Sequence, residues 1–341
     1  MIYICPKCKS SKLRHSLESY ECMNCKSEYN IIAGIPDFRI FRDDIYSHSI
    51  NEPEMVKNLL QNYVSKPFEQ LLEICSGIKK YRDKNNYTAV NLIHKNTKNI
   101  ISNLNKKSDL WYLSDRSGIK KNELSEDTIL DLGCGFCNDT IPISKYCKNI
   151  VAIDISLSHL VIAKKLLQEQ GINNITLICA CSEGLPFSDN QFNFIFSSGV
   201  IEHVKYQNEY LSETFRVLKD DGSFFCSSPN RFFVGKEPHV DIPLVGFLPR
   251  KLMKMYVYVL SGGKLTYEGK RILSFGELAK LLRKYYKDNW ECWTYLNVDI
   301  SSPPRSILGR LYRKFVFFRK TVALFDKIFC KAHLIRATKR S

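Results

Sequence analysis

The chain has 341 residues, 44% of them hydrophobic, with 20 Phe and 18 Tyr, enough for a large domain plus a small one and too apolar for global disorder. Its formal charge of +15 is uneven: from Arg305 to Ser341 there are 11 Lys/Arg against the single acid Asp326, a net of +10 (11 minus 1). Such a tail suits polyanions, either nucleic acid or an anionic membrane, and equally a solvated basic helix. No apolar run approaches about 18 residues and Met1–Cys5 carries no leader pattern, so neither a transmembrane segment nor a secretory signal is expected.

Cys5-Pro-Lys-Cys8 and Cys22-Met-Asn-Cys25 open the chain, two C-x-x-C pairs separated by 13 residues (9–21). Each pair presents two thiolates, and together they predict a closed, structural four-cysteine zinc site over residues 1–40. A segment this short needs such a staple in place of a core. The remaining nine of the 13 cysteines are scattered singly or lie in the glycine loop described below, which fits a reducing, cytoplasmic setting. The run from Cys25 to Gly34-Ile35-Pro36 resembles small zinc-ribbon proteins that partner or precede methyltransferases.

Residues 41–125 are polar with apolar steps of three and four at Glu54–Leu60, Phe68–Ile78 and Val90–Leu104, which predicts a helical linker or cap. Residues 126–230 then alternate strand and helix. Strands are expected at Thr128–Leu132, Asn149–Asp154, Ile175–Cys179, Phe192–Ser198 and Gly222–Ser228. Helices are expected from Asp139 through Tyr146, over Ser158–Gln170 with Gly171 as stop, and over Tyr210–Leu218. That alternation means a doubly wound, mostly parallel α/β sheet with its ligand at the carboxyl ends of the strands. Gly133-Cys134-Gly135 after the first strand lets the backbone turn tightly beside a ligand, and Asp154 ends the second strand 19 residues after Gly135. An acid so placed accepts hydrogen bonds from ribose hydroxyls.

Asp131-Leu-Gly-Cys-Gly135, Ile153-Asp-Ile-Ser156, Glu183-Gly-Leu-Pro-Phe187, Val200-Ile-Glu-His-Val204 and Arg216-Val-Leu-Lys-Asp-Asp-Gly222 together resemble the class I S-adenosylmethionine-dependent methyltransferases, type 11 branch. The resemblance spans Ile129–Asn230. It implies a seven-stranded Rossmann-like sheet over residues 126–300, an acceptor-shaping insertion at 230–285, and a basic amphipathic tail at 301–341. It further implies S-adenosyl-L-methionine held by Asp131, Gly133, Cys134, Gly135, Asp154, Ile155, Cys181, Ser182, Glu183 and Ser198. That cofactor has no pyrophosphate, so Cys137 is tolerable where a dinucleotide loop wants a third Gly. Two positions depart from the branch. Cys181 stands where an acid ordinarily meets the adenine amino group, a poor acceptor for an amine. Asn193 replaces the acid usual after Phe192.

Within the insertion, Glu237-Pro-His239 with a later Leu248-Pro-Arg250 resembles sugar, glycolipid and polysaccharide members of the branch. A helix is expected at Ser274–Lys284 and a last strand at Trp290–Val298. The transfer itself needs alignment, and a hydroxyl acceptor also needs its proton removed. His203 and His239 are the candidate bases, with Glu202 as catalytic residue or orienter. Three readings follow. The first is methylation of a small-molecule, sugar or lipid-linked acceptor (glycan, glycolipid or quinone-like), the tail resting on the inner membrane surface. The second is RNA methylation through the ribbon and tail, against which Ser197-Ser198-Gly199 is not the Asn/Asp-Pro-Pro-aromatic turn of amino-methylating nucleic-acid enzymes. The third is a non-catalytic ribbon docking module.

Overall fold

The computed structural model describes residues 3–41, 52–82, 124, 128–294, 325 and 327–340, with the backbone alone over 76–82. The N-terminal segment forms a four-stranded antiparallel sheet in the order β1 (Leu13–His15), β2 (Ser19–Cys22), β3 (Glu28–Ile32), β4 (Ile35–Pro36). Its two cysteine turns are built alike. Lys9 and Lys26 adopt left-handed φ of 59° and 60°, and their amides donate to the Cys5 and Cys22 carbonyls at 2.8 Å. These turns bring Cys5 Sγ to 3.6 Å from Cys25 Sγ and Cys8 Sγ to 3.5 Å from Cys22 Sγ. A tetrahedral zinc centre with four sulfur ligands has S···S separations of about 3.8 Å, so the cluster is compatible with zinc.

Helices α1 (Glu52–Asn62) and α2 (Phe68–Arg82) precede the main sheet, whose parallel strands β5 (Thr128–Leu132), β6 (Asn149–Asp154), β7 (Ile175–Cys179), β8 (Phe192–Ser198) and β9 (Leu218–Pro229) lie where the apolar runs predict them. Helices α3 (Thr140–Ser144), α4 (Leu157–Glu169) and α5 (Gln207–Val217) connect them. Helices α6 (Arg250–Leu260) and α7 (Phe275–Tyr286) lead to β10 (Trp290–Trp293) and β11 (Ala332–Thr338). The seven strands run β10-β11-β9-β8-β5-β6-β7, with β11 antiparallel to both neighbours. Because β6 and β7 lie on one side of β5, and β8 and β9 on the other, the topological switch falls between β5 and β8. A ligand crevice forms at the carboxyl end of such a switch.

Several sequence expectations shift. The helix expected from Asp139 through Tyr146 is only Thr140–Ser144; Asp139 makes no side-chain cap, and the Thr140 hydroxyl donates to Asp131 Oδ2 at 2.5 Å. The strand taken as last, Trp290–Val298, is described over Trp290–Trp293, and the sheet is closed by Ala332–Thr338, from the stretch read as basic tail. Alternation over His333, Ile335 and Ala337, each 0% exposed, is a strand signal that the charge count masked. The expected helix at Val90–Leu104, the end of Trp290–Val298, and most of the tail lie outside the described residues. Among those described, no helix is long and apolar enough to cross a membrane.

The ribbon shares the main core. Cys5, Cys22, Tyr29 and Phe38 belong to the same buried apolar cluster as Ile178, Leu185 and Phe187. Phe38 is 0% exposed and touches Tyr3, Tyr20 and Tyr29 at ring separations of 5.1–5.3 Å. Just past β4 the chain lies beside the edge strand β7: Asp37 bridges Cys179 in parallel register, and Phe38 N donates to Cys179 O at 2.7 Å. This covers an edge that would otherwise offer unpaired backbone groups. On the opposite face, α1 and α2 pack on α4 through Met55, Leu59, Phe68 and Leu71 against Leu160, Ala163 and Leu167.

Arg39 locks the ribbon exit to the domain. Its guanidinium donates to Asp37 Oδ1 at 2.8 Å and Oδ2 at 2.7 Å, to Glu52, and to the Ile155 carbonyl at 3.1 Å, with all three charged side chains buried. Removing the cation leaves two buried carboxylates without their counter-charge. Arg39→Met is therefore expected to lower unfolding free energy by about 3–5 kcal/mol in urea titrations. Arg39→Lys should recover only part of this, since an ammonium cannot reproduce the fork.

Candidate active site

The site grows from the carboxyl ends of β5, β6, β7 and β8. After β5, Gly133 and Gly135 take left-handed φ of 80° and 53°. Cys137 also sits at a positive φ of 63°, so the position where a third Gly was dispensable is a strained, left-handed cysteine. At the end of β6, Asp154 ties this loop down. Gly135 N donates to its Oδ2 and Ser156 N to its Oδ1, each at 2.8 Å. Burial raises its pKa to about 6, opposed by those two amide bonds and by Arg39. Asp131, more enclosed, is pushed up to about 8 by burial and holds Thr140.

Two adjoining cavities share Gly133 and Asp154. One, of about 330 Å³, is lined by Asp131, Cys134, Gly135, Asn138 and Ser198 among others. The second, of about 90 Å³, adds Ile155, Ser182, Glu183, Val200, His203 and Phe41. Nothing lies within 4 Å of a Cβ built on Gly135, so the space over the loop is open. Asn138 Oδ1 is buried with no hydrogen-bond partner among the described residues. Of the sequence-predicted residues, nine of ten line these cavities. Cys181 does not: it is 0% exposed, and its thiol meets the Phe41 carbonyl at 3.5 Å. Beside it Ser182 and Glu183 face the cavity, Glu183 Oε1 already accepting the Lys205 amide at 2.7 Å.

The predicted catalytic residues come together from 36 positions apart. His239 Nδ1 lies 2.6 Å from Glu237 Oε1, and His239 Nε2 lies 3.1 Å from His203 Nε2. Glu237 is itself fixed, its Oε2 accepting the amides of His239 at 2.8 Å and Val240 at 2.9 Å, with Tyr267 OH 3.4 Å from Oε1. With Nδ1 donating to the carboxylate, His239 Nε2 carries a lone pair and faces His203. Glu202 is 2% exposed, its Oε2 has no partner among the described residues, and burial, with Glu237 adding, raises its pKa to about 8.

Sequence reasoning missed Phe41, Val200 and the orienting pair Glu237 and Tyr267. Glu237 had a signal, since it stands two residues before His239 on one tight turn. Phe41 had none, because it reaches the cleft only through docking of the ribbon exit.

A doubly wound sheet with a glycine loop at its switch point and an acid ending the next strand defines a nucleoside-cofactor-binding α/β domain. Residues 130–226 match the family model described as "Methyltransferase domain". That stretch is similar to methyltransferase domains. The chain is 29% identical over 100 residues to an uncharacterized methyltransferase, YcgJ, of Bacillus subtilis, covering 29% of this chain and 40% of that protein. It is 32% identical over 102 residues to the ubiquinone/menaquinone biosynthesis C-methyltransferase UbiE of Zymomonas mobilis, covering 30% and 42%. The chain thus spans about two fifths of the length of these two relatives. A crystal structure of YcgJ superposes with a TM-score of 0.42 at 20% identity, covering 66% of this chain and 97% of that one.

The loop offers a sharp mechanical test. A Cβ on Gly133 would lie 2.3 Å from Val200 Cγ2, in a backbone conformation that L-residues rarely adopt. Gly133→Ala should cost about 1–2 kcal/mol for the backbone and a further ~1–3 kcal/mol for the clash, measured by chemical denaturation. Adding Val200→Ala should return the second share and leave the first.

Proposed function

We propose that the chain transfers a methyl group from S-adenosyl-L-methionine to a hydroxyl-bearing small-molecule or lipid-linked acceptor. The observation that carries this reading is the Glu237–His239–His203 hydrogen-bonded row, with His203 lining the same cavity as Asp154.

The residues fit the cofactor. An ionised carboxylate has about four acceptor sites, so after two backbone amides Asp154 retains lone pairs for two ribose hydroxyls. Asn138 Oδ1 is an unspent acceptor on the loop side, suited to an ammonium. Ser182 and Glu183 take the adenine end, the place expected of Cys181. When bound, the cofactor supplies an activated methyl on a sulfonium, which needs no acid from the protein. The chain's own work is to align the acceptor and accept its hydroxyl proton. His203 is placed for this, with Glu237 fixing the tautomer and direction of its partner His239. Loss of the proton activates an enol or phenol at oxygen or at the adjoining carbon, so one device serves O- and C-methylation. Cys5, Cys8, Cys22 and Cys25 hold a structural zinc that keeps the ribbon folded against β7.

An apolar acceptor is favoured by the insertion. Around a small core of Val240, Ile242, Val245, Met253 and Val257, helix α6 exposes Leu252, Met255, Val259 and Leu260 beside Lys251 and Lys254. Apolar residues rimmed by lysine suit an anionic membrane or a lipid-linked substrate. The relatives named for ubiquinone and menaquinone biosynthesis support a quinone-like acceptor. The RNA alternative rests on the ribbon and on the basic stretch from Arg305, of which residues 325 and 327–340 are described.

The test is transfer of labelled methyl from S-adenosylmethionine into fractionated cell extracts. Label should enter the lipid or soluble small-molecule fraction, and His203→Ala should cut the rate by about 10²–10⁴-fold while cofactor affinity holds. Label confined to RNA would overturn the acceptor assignment.

A further inference from the structure

Glu202, His203 and His239 lie with one ligand-capable atom each inside 4.8 Å of one another, and His203 lines the smaller cavity. We propose that they form a divalent-metal site, distinct from the cysteine ribbon, whose open positions take the acceptor's hydroxyl oxygen. This rests on the methyltransferase reading and specifies how its acceptor is held and activated.

The geometry has four parts. First, the two imidazoles present Nε2 to Nε2 at 3.1 Å. An ion 2.0–2.1 Å from each nitrogen would subtend an N–M–N angle of about 98°, between the tetrahedral and octahedral values. Second, His239 is already oriented as metal-bound histidines are. Its Nδ1 donates to Glu237 Oε1 at 2.6 Å, which directs the Nε2 lone pair outward, and Glu237 is held by two backbone amides. Third, Glu202 Oε2 is buried without a hydrogen-bond partner among the described residues, an unpaired polar atom that a bound ion would satisfy. Fourth, the donor set differs in kind from the ribbon. Two imidazoles and one carboxylate make three protein ligands with positions left open, the pattern of a catalytic centre, whereas four thiolates close a structural one.

The chemistry balances without a further reagent. The acceptor hydroxyl binds the ion, its O–H bond breaks with the electron pair staying on oxygen, and the proton passes to solvent. A bound divalent ion lowers the pKa of coordinated oxygen by several units, so the nucleophile is an oxyanion near neutrality. With the ion bound, His203 serves the hydroxyl as a ligand of the ion in place of taking its proton directly, His239 is the second ligand, and Glu237 is a positioning residue.

The 341-residue chain, dialysed against excess zinc and desalted, is assayed for zinc by elemental analysis. His239→Ala should lower the content by about one ion per chain, with thermal melting retained, while Cys5→Ser affects the other, ribbon-bound share. Glu237→Gln should weaken the second site by about 10–100-fold in a zinc titration. In cobalt-substituted protein, acetohydroxamate, a bidentate oxygen ligand, should shift the visible bands of wild type and not those of His239→Ala. Equal zinc in wild type and His239→Ala would overturn the site, and unshifted bands would overturn its role toward oxygen. Calorimetry with S-adenosylmethionine on the same samples keeps the two readings apart. Cofactor binding with unchanged zinc sinks only the metal proposal, and absent cofactor binding sinks the methyltransferase reading whatever the zinc count.

Discussion

The carboxylate of Asp154 is the constraint on which the site depends. One of its oxygens holds the amide of Gly135, from the loop after β5, and the other holds Ser156, at the entry to α4. Two adjacent strand ends are thereby fixed to one charged group. Both cavities of the cleft touch it, so its position sets the shape of each. The charge is buried, and burial opposes it first, with the Glu52 carboxylate adding to that; the two amides and the nearby Arg39 work in the other direction.

Arg39 carries the dependence outward. It belongs to the ribbon exit, yet it reaches Asp37, Glu52 from α1, and the carbonyl of Ile155, the residue next to Asp154. The ribbon is consequently part of the wall of the cleft. Phe38 fills the shared core, Ile40 lies against Gly184, and Phe41 lines the smaller cavity. The segment that carries the four-cysteine cluster thus bears on a cleft formed by residues 130–204. The basic stretch makes a parallel point, since part of it is β11, inserted between β9 and β10 to close the sheet.

Much of this was legible in the sequence, and the reasons differ by element. Strands β5 to β8 announce themselves because a buried parallel strand is a short apolar run, bounded by turn residues. Gly133, Gly135 and Asp154 are legible because a tight left-handed loop and a strand-end acid leave few residue choices. The pairing of His203 with His239 across the insertion was not given by spacing, although both stood out as candidate bases, His203 just after the fourth strand and His239 in the insertion. Strand β11 was hidden, because its alternation is set among lysines and arginines that dominate the composition. Arg39 and Phe41 were invisible for a plainer reason: their roles arise from tertiary docking, which no local period encodes. Cys181 shows the opposite failure. Register placed it at the cofactor, and packing turned its thiol toward the Phe41 carbonyl.

The affinity of the chain for S-adenosylmethionine, titrated calorimetrically between pH 5 and 7, tests the account most directly. In the proposed reading the ionised form of Asp154 accepts the ribose hydroxyls, and burial pushes its pKa up to about 6. Affinity should be nearly level just above that value and fall toward a limit of about tenfold per pH unit below it, as the carboxylate is neutralised. Asp154→Asn should bind more weakly and lose that pH dependence. Absence of binding at pH 7, or the same acid limb in Asp154→Asn, would contradict the account.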